Sequence, residues 1–135
     1  MKQFTVKVPL KVEIGVRKKK TYYLNLNIYR NKVGFLMNNT KLEFKRIVEP
    51  LIPDVYYEKF ELEYVLYLPD SRHRDISNVL AIVDKYFTDV FVGLKGEKGH
   101  APDDSYQYLQ KVVYKLGGFD PDKEGYVLVT VKEVK

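Results

Sequence analysis

The chain reads as an α+β fold, with a mixed sheet of about five strands and two main helices on one side. Three observations predict it. Apolar residues alternate with period two near both ends of the chain and again over 60–68, the pattern of strands with one buried face. Residues 75–92 instead carry apolar side chains at helical spacing. The 135-residue length suits one domain, and no internal repeat or linker divides 1–135.

Phe4, Val6, Val8, Leu10, Val12, Ile14 and Val16 share one parity, with Lys7, Lys11 and Glu13 on the other, so 4–16 is expected to be a strand. Gly15 and the run Arg17 to Lys20 read as a hairpin loop, after which Tyr22, Leu24, Leu26 and Ile28 resume the alternation and pair antiparallel. A solvated turn is the simpler reading of that basic run, with phosphate contact the alternative. Residues 25–34 lose the pattern, are rich in side-chain amides and read as a loop. Asn39 or Thr40 is placed to cap a helix through about Leu51, with Leu42, Ile47 and Leu51 as its stripe and Pro50 and Pro53 as its stop.

Phe60, Leu62, Tyr64, Leu66 and Leu68 form the next strand, which Pro69 ends. The helix over 75–92 buries Ile76, Val79, Leu80, Val83, Phe87 and Val90. At about 100° per residue, Asp75, Asn78, Lys85 and Asp89 line the border of that face, and Asp84 points away from them. A glycine-rich loop over 93–102 leads into Asp103 and Asp104. Strands over about 106–116 and 126–134 follow, separated by a turn at Gly117–Gly118 and Phe119-Asp120-Pro121-Asp122.

Composition narrows function. With no cysteine, a disulfide scaffold, a thiolate zinc site and a cysteine nucleophile are excluded. No apolar run approaches the roughly 18 residues of a membrane span and the start is not a signal peptide, so no membrane partner and an intracellular location are expected. Twenty-three Lys and Arg against 18 Asp and Glu give a net charge of +5, which suits a polyanion partner. Tyr22, Tyr23, Tyr56, Tyr57, Tyr106 and Tyr108 are read as sheet-face or dimer-contact residues rather than base-stacking ones.

Carboxylates gather at Asp70 and Asp75, and again at Asp103 and Asp104. Magnesium takes oxygen ligands and keeps several waters, so two or three carboxylates suffice to hold it. Arg72, His73 and Arg74 lie between the first two, and acid for metal interleaved with base for phosphate is the arrangement a nuclease needs. Aspartates at turns and helix starts are also ordinary structural residues, and Asp75 fits a helix cap equally well. His73 reads as a solvated turn residue and His100 as incidental.

The segment Pro69-Asp70-Ser71-Arg72-His73-Arg74-Asp75-Ile76-Ser77-Asn78-Val79 resembles the central motif of RusA-type Holliday-junction resolvases: Pro-Asp, basic residues, then Asp-x-Asp-Asn at a helix start. Asp103-Asp104-Ser105 is similar to the family's later Asp-Asp pair, and the order of elements agrees over most of the chain. The resemblance implies a small homodimeric, Mg²⁺-dependent endodeoxyribonuclease, with Mn²⁺ as a substitute ion. It also implies a phage or prophage origin, a bacterial cytoplasm, and branched DNA such as four-way junctions as substrate.

By position the resemblance makes Asp75 and Asp104 metal ligands, with Asp103 beside them and Asp70 a source of a further oxygen. Lys85, with Arg72 or Arg74, would stabilise transition-state charge. Arg72, Arg74, Asn78, Asn27 and Asn31 are the DNA-contact candidates, the last two being equally well turn residues. Two positions depart from the motif. Ser77 stands where the family has its second carboxylate, and Ala81 where it has a lysine, for which Lys85 one turn on is the candidate replacement. Ser77 makes a catalytically weak or inactive junction binder the main alternative. A basic interaction module with no nucleic-acid role is the second.

Overall fold

The structure is a computed structural model that describes residues 1–15, 17–25, 34–94 and 97–135, the side chains of 34–37 excepted. It is an α+β fold with six strands among the described residues, one more than the sequence suggests. Strand β1 (Gln3–Pro9) opens the chain, β2 (Lys11–Ile14) and β3 (Lys20–Tyr23) form a hairpin, and helix α1 (Gly34–Val48) runs into a 3₁₀ turn (Glu49–Leu51). Strand β4 (Phe60–Leu68), helix α2 (Ile76–Val92), β5 (Leu109–Phe119) and β6 (Tyr126–Glu133) complete it. The main sheet has the order β1-β6-β4-β5, antiparallel except for the parallel pair β4/β5, and β2 and β3 stand apart from it.

The alternation over 4–16 buries the expected parity, but it serves two sheets. Phe4, Val6, Val8, Leu10 and Val12 are all buried. The break comes at Pro9, which has no N–H to continue a ladder, and at Leu10, whose carbonyl accepts the N–H of Leu24 at 2.8 Å. Thus β1 pairs β6 while β2 pairs β3.

Helix α1 starts earlier than the capping residues suggest, so neither Asn39 nor Thr40 caps it. Its buried row is Thr40, Phe44 and Val48 at four-residue spacing, while Leu42 and Leu51 are exposed and Ile47 is half-buried. Thr40 turns inward because its hydroxyl shares a hydrogen bond with the Tyr86 hydroxyl of α2 at 2.7 Å. Lys41 adds an ion pair to Asp89 at 2.6 Å, so polar contacts tie α1 to α2.

Both helices cover the same face of the main sheet. That face presents Val6 and Val8 from β1, Leu62, Tyr64 and Leu66 from β4, and Val127, Val129 and Val131 from β6. Phe91 of α2 is fully buried where the rings of Phe4, Phe60, Phe87, Tyr57 and His100 meet, with centroids 5.1–6.3 Å away. His100 is not incidental. Its Nδ1 lies 2.8 Å from the Val55 carbonyl, and its backbone bonds to Phe91 and Tyr57, pinning the loop after α2. Of the six tyrosines assigned to packing, Tyr57 is buried, Tyr22 and Tyr108 are half-buried, and Tyr23, Tyr56 and Tyr106 are exposed.

The Gly117–Gly118 pair lies inside β5 rather than in a turn. Leu66 pairs Leu116 and Tyr67 pairs Gly118, leaving Gly117 as the extra residue of a bulge. A Cβ at Gly117 would come within 2.5 Å of the Tyr67 ring and 2.7 Å of Val65, so no side chain fits there. The chain reverses after Asp120, whose buried carboxylate accepts the N–H groups of Asp122, Glu124 and Gly125 at 2.9–3.2 Å. Those bonds, the Asp122 one foremost, lower its pKa.

Truncating the ring at the centre of the core leaves a cavity that five neighbouring rings cannot close. Phe91→Ala is expected to cost about 3–5 kcal/mol, read as a lower midpoint in urea unfolding at unchanged slope.

Candidate functional site

The motif segment begins where β4 ends. Pro69 stops the ladder, and Asp70 then organises the turn: its carboxylate accepts the Arg72 N–H at 3.0 Å and the Arg74 guanidinium at 2.7 Å. Arg74 also donates to the carbonyls of Asp70 and Arg72 at 3.4 and 3.2 Å, and the Arg72 guanidinium lies 3.4 Å from Asp70. Arg74 above all, then the Arg72 N–H, hold the Asp70 carboxyl well below the usual carboxylate range. Asp70 therefore organises the turn and pairs with its arginines. Arg74 is pinned by this network, whereas Arg72 is 83% exposed and presents its charge to solvent.

Asp75 follows as the N-cap of α2, in an extended conformation, exposed, and making no side-chain capping bond. Ser77 is exposed and Asn78 half-exposed on the first turn. Asn78, Arg72, Arg74 and Asp70 line a groove of about 430 Å³ together with Tyr23, Asn25 and Lys123. The sequence did not single out Lys123; it read Tyr23 as a packing residue and Asn25 as the start of the amide-rich loop. Lys123 reaches the groove because the Asp120 turn brings the β5–β6 connection beside the end of β4, where the Asp120 N–H bonds the Leu68 carbonyl at 2.8 Å. Asn27 and Asn31 lie outside the described residues.

Asp103 and Asp104 stand elsewhere. They precede β5, and because β5 runs parallel to β4 its start lies beside Phe60, at the opposite end of the sheet from Leu68. The Ser105–Tyr108 turn is tied there by the Phe60 N–H to the Tyr108 carbonyl at 2.8 Å. Partial desolvation, a hydrogen bond to Asp103 and the charges of Asp103 and Asp89 raise the Asp104 pKa. Asp89 is in the last turns of α2, about 20 Å of helical rise from Asp75. Lys85 belongs with this acidic end as well, 3.7 Å from Asp89 and about 15 Å of rise from Asp75.

The motif residues therefore divide between two ends of the β4–α2–β5 unit. Within one chain Asp75 and Asp104 cannot both ligate an ion whose ligand oxygens lie near 2.1 Å. Among the described residues no three His, Asp or Glu side chains are grouped to hold a metal. The residues of a single chain thus do not fit the Mg²⁺ or Mn²⁺ centre that the resemblance implies, and Lys85 does not stand beside Arg72 and Arg74.

Asp84 is the carboxylate whose surroundings the sequence does not reveal. It faces the sheet, accepting from Tyr64 at 2.7 Å, Tyr114 at 2.8 Å and Thr88 at 3.0 Å. Burial, aided by the Asp84 charge, raises the pKa of both tyrosines far above the ordinary phenol value. This is a structural tie between α2 and the sheet.

No protein-family model and no curated protein matches the chain. No helix among the described residues is long and apolar enough to cross a membrane.

The Asp70 pair is open to a direct check. Its lowered pKa means that the pair's contribution to folding is present above about pH 4 and is lost as pH falls through the lower folded value. A ¹³C titration of the carboxyl groups is expected to find Asp70 still ionised at about pH 3, and Arg74→Ala should move it up toward the ordinary value near 3.9.

Proposed function

We propose that the protein binds branched DNA through the groove at the end of β4, as a RusA-like junction-binding protein. The observation that carries this reading is the composition of that groove. Arg72, Arg74 and Lys123 bring three cations against the single carboxylate of Asp70, and Asn25, Asn78 and Tyr23 stand among them. Cations position a phosphate backbone, while amide and phenol groups bond or stack on unpaired bases at a branch. A homodimer, a phage or prophage origin and a bacterial cytoplasm accompany this reading through the motif.

A second reading, Mg²⁺-dependent cleavage of the same junction, is favoured by the motif itself, since Asp75, Asn78, Asp103 and Asp104 all stand at its positions. It requires carboxylates from the two ends of the unit to meet in the working assembly.

A labelled four-way junction tests both. Binding should weaken steeply with salt, and Arg72→Ala or Lys123→Ala should each reduce the log–log salt slope by about 0.9 for one lost phosphate contact. Affinity that ignores both salt and branching would leave only a basic interaction module. Incubation with Mn²⁺ separates the two readings: strand cleavage that Asp75→Asn and Asp104→Asn each abolish, with binding retained, makes the protein a nuclease. In that case Lys85→Ala slows the reaction and Ser77→Asp accelerates it. An intact junction under the same conditions leaves the binding reading alone.

A further inference from the structure

We infer that the β2–β3 hairpin is a second phosphate-binding element, which grips the duplex arm leaving a branch while the groove holds the branch itself. Its tip carries Arg17, Lys18, Lys19 and Lys20, the one stretch of the sequence with four consecutive cations. A chain reversal needs no such run, since glycine, asparagine, aspartate and serine make turns without setting like charges side by side. All four residues are exposed, and among the described residues no carboxylate forms an ion pair with them. Cations elsewhere are neutralised locally. Lys11, Lys41, Lys45, Arg74, Lys85 and Lys115 each stand 2.6–3.7 Å from a carboxylate oxygen.

The hairpin stands apart from the main sheet, yet its root is fixed. Val12 and Leu24 are buried, Tyr22 packs against the core, and the Leu24 N–H bonds the Leu10 carbonyl at 2.8 Å. The ladder continues to Ile14 opposite Lys20, whose Nζ lies 5.6 Å from the centre of the Tyr22 ring. That root is also a wall of the groove, which Leu10, Tyr23, Leu24 and Asn25 all line. From Tyr23 back to Lys20 the strand covers about 10 Å, at roughly 3.4 Å per residue. B-DNA advances about 3.4 Å per base pair, so an arm laid along β3 meets the tip about three base pairs from the branch.

The two elements then divide the work. Groove residues meet the branch with amide and phenol groups among the cations, whereas the tip offers charge alone. Contacts of that second kind carry no sequence information, but they add affinity and fix the direction in which the arm leaves. Because the tip is rooted in the groove wall, the arm's direction is set by the same strand that bounds the branch site. The hairpin contact deepens the DNA reading and rests on it.

Titrating a four-way junction and a linear duplex of the same sequence over a range of salt concentrations tests the contact. Lys18→Gln with Lys19→Gln should lower the log–log salt slope on both DNAs by about 1.8, for two lost phosphate contacts. Lys2→Gln with Lys132→Gln removes the same charge at the far end of the sheet, where Lys132 pairs Gln3 and the Lys2 carbonyl accepts the Glu133 N–H. That variant should leave the slope unchanged. Hydroxyl-radical footprinting of the junction should show protection about three base pairs from the branch, which the tip variant loses. A slope that the tip variant does not move, or that the far-end variant moves equally, would overturn the inference and leave the groove reading standing. Tip-dependent affinity that is equal for both DNAs upholds the hairpin contact and removes the branch reading. No affinity for either DNA overturns both.

Discussion

The parallel pairing of β4 with β5 is the constraint on which the rest of the molecule depends. Parallel neighbours cannot be joined by a tight turn, so the chain must leave the end of β4, travel back across the sheet and re-enter beside its start. Helix α2 makes that journey. Its 17 residues span about 25 Å, close to the length of the nine-residue strand beneath it. Whatever precedes α2 is therefore held at one end of the sheet, and whatever precedes β5 at the other. Asp70, Arg72, Arg74 and Asp75 are in the first group, and Asp103 and Asp104 in the second.

Helix α2 carries this constraint because it is held on both sides by different chemistry. Toward the sheet it buries Val79, Leu80, Val83, Phe87, Val90 and Phe91, and its one inward carboxylate, Asp84, is bonded by hydroxyls from β4, β5 and its own next turn. This half-buried carboxylate is satisfied by its three donors, and the loss of any one would leave its charge less well solvated beside the core. Toward α1 it offers Tyr86 and Asp89 to Thr40 and Lys41. Apolar burial supplies the bulk of the stabilisation, and the directed bonds set the helix's rotation and register.

The elements with strong periodicity were legible in the sequence. Strand β4 coincides with the expected 60–68, α2 begins one residue after Asp75, and the alternation of the first strand marks its buried face correctly. Failures came where a long-range partner decided the outcome. Thr40 resembles a cap until Tyr86 is opposite it, and the Leu42–Ile47–Leu51 stripe overlooks the row that faces α2. The Gly117–Gly118 pair has the form of a turn, and only the ring of Tyr67 lying across β5 explains glycine within a strand. At the candidate site, the clustering of Asp70, Arg72 and Arg74 was legible because it is local. The separation of Asp75 from Asp104 was not, because spacing along the chain carries no information on which end of a sheet a loop occupies.

That separation also gives the molecule an electrical direction. One end pairs Asp70 internally and leaves Arg72 and Lys123 as net cations around a groove, while the other sets Asp103 and Asp104 beside Asp89. The modest overall charge of +5 is thus not spread evenly. Within a Debye length of about 8 Å the local groups, not the total, govern what approaches. A hydrolytic centre needs both characters within a few ångströms, since cations hold the strand and carboxylates hold the ion. In a single chain the crossover keeps them apart by about the length of a helix.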